Sequence, residues 1–397
     1  MDSYKLYSSL PFCGADKNLA VIDADALVRN RELLMNEIHK SSPHTRDICV
    51  VKADAYGHGI AHCVPALVRS GCGFFAVSCI EEAMAIRSLL NTLKSDAEIL
   101  ILGYTAPESA GLLIENNIIQ CVFSMEYAEK LNENSNGKLK VHIKLDTGMS
   151  RIGFFVPSIE GAGAVARELE GIYKLSGLSV CGTFTHFSRA DEMTDGGDAF
   201  TVGQYKKFIA VANGLRKLGL DPGMLHACNS AGAIRFPEFA LDGVRIGIVL
   251  YGGGVKIDSL DLKPVMSLYT RISHIHTLYE GEPLGYGGTY VAESDRVIAT
   301  LPIGYADGFL RAYRGASVII ITPEGEREAR LVGRICMDQC MVDVTGLDVQ
   351  VGDTVRLFGG DRSMLDGLAT RAGTIDYECL CLISARVPRK RFQNKRR

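Results

Sequence analysis

Residues 51–59 (VKADAYGHG) place a lysine, a tyrosine and a glycine-flanked histidine close together in the chain. Lys52 closes the apolar run Ile48, Cys49, Val50 and Val51, which reads as a buried strand ending in a turn. A single lysine is most often a surface residue, but one followed by Tyr56 and His58 reads as an amine held against a ligand. Polar residues stand at the ends of other apolar runs as well. Lys144, Asp146 and Arg151 lie in HIKLDTGMSRIGF, and His186 lies in GTFTHF. His226, Asn229 and Ser230 lie in HACNSAGA, and Arg245 opens VRIGIVLYG with one valine before it. The small residues of NSAGA and the Gly247-Ile248 turn let backbone N–H groups approach an anion, and Ser230 adds a hydroxyl. An amine opposite a phosphate site is what pyridoxal phosphate requires: the amine forms a Schiff base and the amides hold the ester phosphate. A GxxxxGK[ST] motif and a GxGxxG after a strand are both missing, which weighs against nucleotide hydrolysis and dinucleotide binding.

The elements that must position these groups follow a regular alternation. Asp23 is a good N-cap for a helix in which Ala24, Leu27, Leu34, Met35 and Ile38 recur at helical spacing. From Ile48 onward, short apolar runs end near Lys52, Ser78, Gly103, Ser124, Asp146, His186, Cys228 and Tyr251. Amphipathic stretches such as residues 202–215, with Tyr205, Phe208, Ile209 and Ala212 on one stripe, separate them. Strand-then-helix units in this number predict a parallel (β/α)8 TIM-type barrel, whose strand ends carry the chemistry. The run at residues 19–22 would be one strand too many, and is assigned elsewhere. After Gly252, Gly253 and Gly254, strand-like runs (266–278, 296–303, 317–322, 329–332, 341–344, 354–358) follow one another with turn residues and little helical pattern. The expected division is residues 1–23 as a tail and a strand joining a β domain, 24–254 as the barrel, and 255–397 as the C-terminal β domain.

The chain has 397 residues, 47% of them hydrophobic, with a formal net charge of -3, which gives no reason to expect nucleic acid as a partner. The basic end at residues 386–397 (RVPRKRFQNKRR) reads as a solvated tail. With no long apolar run and no apolar signal core at the start, the expectation is a cytoplasmic protein without a membrane partner. Twelve cysteines scattered through apolar runs, among them Cys49, Cys121, Cys181 and Cys340, suit small buried hydrophobes in a reducing compartment. His274 and His276 would share a strand face, but lack a third ligand, so no metal is expected.

These residues resemble a known family. VKADAYGHG, HIKLDTGMSRIGF, FTHFSRAD, HACNSAG, VRIGIVLYGG, GEPLGYGGTY, PIGYADGFLR, VGRICMDQ and DYECLCLISARVPR together are similar to the alanine racemases, from about residue 19 to the end. Those are fold-type III pyridoxal phosphate enzymes with a (β/α)8 barrel and a C-terminal β domain. The resemblance implies that Lys52 is the Schiff-base lysine and one catalytic base. It makes Tyr286 the other, reaching in from the second subunit of a head-to-tail homodimer with shared active sites. It implies Tyr56, Ser230, Gly247, Ile248 and Tyr377 around the phosphate, with Asn229 in the same segment, Arg245 at the pyridine nitrogen and Arg151 near the ring hydroxyl and the substrate. His186 would stand beside Tyr286 with Arg245 behind it. Met337 and Asp338 would meet the amino acid substrate from the partner chain, and Lys144 matches a lysine that some relatives carbamylate. Asp191, Tyr305, Arg311, Arg334 and Ile375, together with Asp307, match an entry corridor, though by composition they could equally form a surface salt-bridge cluster.

Racemisation takes a proton from one face of Cα and returns one to the other, so two bases are the economical solution. The activity so implied is interconversion of L- and D-alanine, supplying D-alanine for cell-wall peptidoglycan. A serine or broad-specificity racemase is the near alternative, against which Tyr377 argues. A non-catalytic pyridoxal phosphate carrier would resemble the barrel alone and lack Tyr286 and ICMDQ. A decarboxylase with a related barrel fits the motifs beyond residue 280 less well.

Overall fold

The computed structural model describes residues 10, 12, 16–255 and 260–392. The first strand, β1 (Asn18–Ile22), is buried on both faces. Leu19 and Val21 pack with Tyr269 and Ile321, whereas Ala20 and Ile22 join the main core. That two-sided burial explains a run with no polar alternation. Asp23 then ends the strand and starts the helix Ala24–His39, its carboxylate accepting from the N–H groups of Asp25 and Ala26 at 3.0 and 2.9 Å.

Eight parallel strands follow: β2 (Arg46–Val50), β3 (Phe74–Val77), β4 (Glu98–Ile101), β5 (Ile118–Val122), β6 (Leu139–Asp146), then, after a two-residue strand β7 (Phe154–Phe155) that pairs with β6, β8 (Leu178–Phe184), β9 (Met224–His226) and β10 (Gly243–Ile246). The sheet runs β10-β2-β3-β4-β5-β6-β8-β9. Its ends meet through Asp242 N–H to Leu225 O and Arg245 N–H to Cys228 O, both 3.0 Å, so the sheet is nearly closed into a barrel. Strands such as β3 (FFAV) are buried at every position, as a parallel sheet covered by helices requires. The predicted amphipathic helix at 202–215 is the central part of Asp195–Lys217, capped by Thr194 Oγ1 on Gly197 N–H, with acids in its first turn and Arg216 and Lys217 in its last.

The second sheet contains β11 (Met266–Arg271), β12 (His274–Leu278), β15 (Arg296–Leu301), β16 (Ser317–Thr322), β17 (Gly325–Val332), β18 (Cys340–Asp343), β19 (Thr354–Phe358) and β20 (Arg389–Arg391), in the order β12-β15-β18-β17-β16-β19-β11-β1-β20. A separate hairpin, β13 (Pro283–Leu284) with β14 (Tyr290–Val291), brackets Tyr286. Two expectations needed correction here. Residues 266–278 are two strands, because Ile272 leaves the ladder to donate to Asp353 O at 2.9 Å. The segment after 358 is helical, at Ser363–Ala372 and Asp376–Cys381, with Gly373 in the left-handed region closing the first helix. Among the described residues, no helix is long and apolar enough to cross a membrane.

Candidate active site

Lys52 stands just past the end of β2 and opens a left-handed turn. Ala53, Asp54, Ala55 and Tyr56 have φ of 52, 52, 58 and 52°, and Gly57 follows at 80°. Each non-glycine residue in that region costs about 1–2 kcal/mol, so neighbouring groups must hold the turn. Glu82 accepts from Ala53 N–H at 2.6 Å, and Asp54 accepts from Ile60 N–H at 2.8 Å. His58, fully buried, has Nδ1 at 3.0 Å from both Ala55 O and Tyr56 O; carbonyls only accept, so Nδ1 carries the proton. Gly57 is required as well, since a Cβ there would lie 2.3 Å from Leu380 O. This gives His58 a supporting role in the turn that carries Lys52 and Tyr56. Ala53 is exposed, so Ala53→Gly isolates the backbone term: in urea unfolding the variant should gain up to about 1–2 kcal/mol by shedding the Cβ clash, whereas β-branched Ala53→Val should lose stability.

The turn aims Tyr56 at a cradle. A Cβ on Gly247 would meet Tyr56 Oη at 2.5 Å, and Gly247 N–H donates to Ser230 Oγ at 2.9 Å. Ser230 opens the short helix Ser230–Arg235, whose cap is Asn229: Oδ1 accepts from Gly232 N–H at 2.9 Å and Nδ2 donates to Phe187 O at 3.1 Å. Asn229 therefore spends its side chain on fixing Ser230. Gly254 and Tyr377 complete the cradle, a Cβ on Gly254 lying 2.6 Å from Ile248 Cγ2 and 3.1 Å from Tyr377 Oη. Asp376 accepts from Gly254 N–H at 2.7 Å, and Arg362 donates to Gly254 O. Tyr56 and Tyr377 meet edge to face, with ring centroids 6.2 Å apart. Glycines that cannot bear a Cβ, two phenols and a hydroxyl are the groups that could hold a phosphate ester.

Arg245 lies beneath, almost fully buried. Its Nη1 donates to His226 Nδ1 and His226 O, both at 2.9 Å, and its Nη2 donates to Thr185 O at 2.6 Å and Ala227 O at 2.9 Å and reaches His186 Nδ1 at 3.3 Å. Guanidinium has no acceptor, which fixes the tautomers. His226 accepts at Nδ1 and so donates from Nε2 to His142 Nδ1, 2.9 Å away, and His186 carries its proton on Nε2. Burial and the charge of Arg245 hold His186 and His226 well below the usual histidine range, so both rings stay neutral. Burial pushes Arg245 itself down only to about 10, so it keeps its proton. These bonds all use Nη1 and Nη2, so the Nε–H is the donor they leave over, and it could face a ring nitrogen.

Lys144 is buried beside it, its Nζ 4.8 Å from the Phe184 ring centroid, with Arg245 Cζ 5.2 Å from the same ring. Burial lowers the Lys144 pKa from 10.5 to about 8, with the charges of Arg245 and Arg151 acting in the same direction. The folded state therefore binds fewer protons than the unfolded one between pH 8 and 10.5, and stability rises with pH across that window. Urea unfolding of wild type kept free of carbon dioxide, so that Lys144 stays an amine, and of Lys144→Met should show that slope in wild type alone.

Asp146 departs from its expected place in the chemistry. Its Oδ1 accepts from the N–H groups of Gly148, Met149 and Ser150 at 3.0, 2.9 and 3.0 Å, and its Oδ2 from Arg151 N–H at 3.1 Å. Burial alone would raise its pKa, but these four bonds win and hold it below the usual range, making Asp146 the anchor of the loop that presents Arg151.

The remaining expected residues, Asp191 apart, lie on the C-terminal β domain. Tyr286, Met337 and Ile375 are 70%, 53% and 58% exposed. Tyr305 N–H donates to Cys336 O at 3.1 Å, Asp338 pairs with Arg386 at 2.7 Å, and Arg334 packs against Gly287. Arg311 and Asp191 are exposed. Asp307 is not a surface residue: it is fully buried, accepts from Gly304 N–H at 3.0 Å and faces Arg386 at 3.5 Å. Among the described residues, no hydrogen bond or ring contact joins Tyr286 to the Lys52 group. Sequence reading missed Glu82, His142, Gly254 and Asp376, which act only through neighbours. Of these, His142 and Asp376 stand inside the motifs HIKLDTGMSRIGF and DYECLCLISARVPR, and Gly254 closes the glycine triplet, but sequence reading gives none of them a role.

Comparison with known proteins matches residues 22–254 to the model of the alanine racemase N-terminal domain and 265–391 to that of the C-terminal domain. The chain is 41% identical to alanine racemase 1 of Clostridium acetobutylicum over 388 residues, covering 94% of this chain and 95% of the relative. It superposes on the alanine racemase of Clostridium difficile with a TM-score of 0.85 at 35% identity, covering 95% and 96% of the two chains. The structure of alanine racemase from Bacillus anthracis with bound L-Ala-P gives 0.84 at 30% identity, with 97% of each chain covered.

Proposed function

The chain belongs to the alanine racemase family, and on that footing we propose that it interconverts L- and D-alanine with pyridoxal phosphate as cofactor, in a homodimer. The observation that carries this reading is the convergence of Lys52, the Tyr56, Ser230 and Gly247 cradle, and the buried guanidinium of Arg245 at one mouth of the barrel. Lys52 anchors the cofactor, Tyr56, Ser230, Gly247, Ile248 and Tyr377 surround its phosphate, Arg245 faces its ring nitrogen, and Arg151 lies near its ring hydroxyl. When bound, pyridoxal phosphate takes up electron density from Cα, making the Cα proton removable. Arg245, which keeps its proton, would leave a ring nitrogen held against it unprotonated, and the weaker electron sink would limit side reactions.

Lys52 Nζ holds or takes the proton on one face. Burial first, then the charge of Arg151, lowers its pKa and favours the neutral amine that a base must be. The phenol of Tyr286 of the partner subunit serves the other face. His186, neutral with its proton on Nε2, is oriented to donate to that phenol and favour its anion. Met337 and Asp338 of the same copy meet the substrate. The exposure of Tyr286, Met337 and Ile375 supports this arrangement, since large side chains bared on one domain call for a cover. We also propose the division at residues 23 and 254, carbamylation of Lys144 supplying a negative charge beside Arg151, and a cytoplasmic role in making D-alanine for the cell wall. The half-buried Tyr377 beside Tyr56 leaves less room for a larger side chain and favours alanine over serine.

A chiral assay of the cofactor-loaded protein with L-alanine and L-serine tests the reading. D-alanine should accumulate to equal amounts of the two enantiomers and serine should turn over more slowly. Faster turnover of serine would reassign the substrate, and no turnover of either would remove the proposal.

A further inference from the structure

We propose that a second anion site, for a phosphate dianion, lies on the C-terminal sheet in the cleft between β14, β15, β17 and the turn at residues 314–315. The cleft encloses about 650 Å³ and is walled by Arg296, Arg314, Arg330 and Arg371 against two carboxylates, Glu293 and Asp343. Four cations facing two anions leave an excess of two positive charges, and none of these arginines has a part in the barrel site.

The turn gathers the guanidinium groups. Gly315 has φ of 73°, and its backbone is locked to β17 by Gly315 N–H to Leu331 O at 3.0 Å and Leu331 N–H to Ala316 O at 2.9 Å. Its own carbonyl accepts from Arg330 Nε at 3.2 Å, and the preceding carbonyl, of Arg314, accepts from Arg371 Nη1 at 3.4 Å. A Cβ on Gly315 would lie 3.5 Å from Arg371 Nη1 and 3.7 Å from Arg330 Nη2, so two like charges are collected around one point. Each guanidinium has five N–H donors, and among the described residues each spends one, on a carbonyl. On the facing wall, Arg296 Nε is buried without a hydrogen-bond partner, and the nearest Asp343 oxygen to this arginine is 3.8 Å from Nη1.

Converging like charges repel, and on the facing wall one buried donor, Arg296 Nε, is left unsatisfied. One ligand relieves both: an oxyanion carrying two charges and several acceptor oxygens. Phosphate fits better than a single carboxylate because it matches the charge excess and can be gripped by more than one planar guanidinium. Inorganic phosphate and the phosphate of a small ester share this chemistry.

The test is calorimetric titration of the cofactor-loaded protein, whose barrel phosphate site is filled, with inorganic phosphate and separately with glycerol phosphate, at an ionic strength held constant with chloride. Saturable binding of one anion per chain is expected, tighter for the ester if the natural ligand is esterified and tighter for inorganic phosphate if it is free. Arg330→Ala/Arg371→Ala should weaken it by about tenfold or more, while racemisation and the thermal midpoint stay at wild-type values. Arg330→Lys/Arg371→Lys keeps charge without the planar fork and should fall between. No saturable binding by wild type, or binding unaltered in both double variants, would overturn the proposal. So would a change in sedimentation mass of the alanine variant without phosphate, which would make the cleft a seat for another chain.

Discussion

Lys52→Ala is expected to lose the visible absorbance of covalently held cofactor and to lower racemisation of alanine by about ten-thousand-fold. The size follows from two losses at one atom, covalent attachment and proton transfer on one face of Cα. The environment of Lys52 prepares it for both: burial and the nearby charge of Arg151 lower its pKa, so more of it is the neutral amine than for a solvated lysine. The cradle does not depend on it. Tyr56, Ser230 and Gly247 keep their contacts in the variant, so cofactor should still bind and should come away on gel filtration. The side chain is half-buried and makes no hydrogen bond among the described residues, so urea unfolding should change little. The readouts are the absorbance before and after gel filtration and the racemisation rate. Wild-type activity in Lys52→Ala, or a wild type that stays colourless with added cofactor, would sink the assignment.

Much of this was legible because the barrel writes itself in short-range pattern. Barrel strands such as β3 are buried on both faces, so FFAV is readable as a strand without alternation, and the chemistry follows the barrel strands at their carboxyl ends. The long strand at 266–278 misled for the same reason: period alone does not show that Ile272 is turned out of the ladder by Asp353, a partner some eighty residues on. Asp146 shows a different limit. Its place in HIKLDTG looks catalytic, but four backbone amides claim it, and amide directions depend on a loop that only three dimensions reveal. The left-handed turn after Lys52 was likewise hidden. Ala53 and Ala55 carry no mark of positive φ, and only Gly57 and His58 hinted that something unusual had to be held. Supporting groups such as Glu82 and His142 act through backbone or a second side chain, so residue type alone gave no reason to single them out.

Tyr286→Phe should impair proton abstraction from one enantiomer by about a hundred- to ten-thousand-fold, while Lys52 still abstracts from the other. The argument rests on where the two groups stand. Lys52 opens onto the barrel cradle, whereas Tyr286 is 70% exposed between β13 and β14 and touches nothing in that group. A base left in water cannot act on a substrate held at Lys52, and on the proposed reading the phenol enters the site of a second copy. Phenylalanine keeps the ring and its packing and removes only the proton-bearing oxygen, which separates chemistry from shape. Solvent-deuterium exchange at Cα, measured from L- and from D-alanine, reads the two faces independently. Loss confined to one enantiomer is the expected result, and equal residual exchange from both would count against two bases. Dilution supplies a second reading of the same geometry: if the phenol comes from another chain, specific activity should fall as protein concentration drops below the dimer's dissociation constant, with sedimentation mass falling in parallel. Activity that persists in a demonstrated monomer would place the second base within one chain and remove Tyr286 from the mechanism.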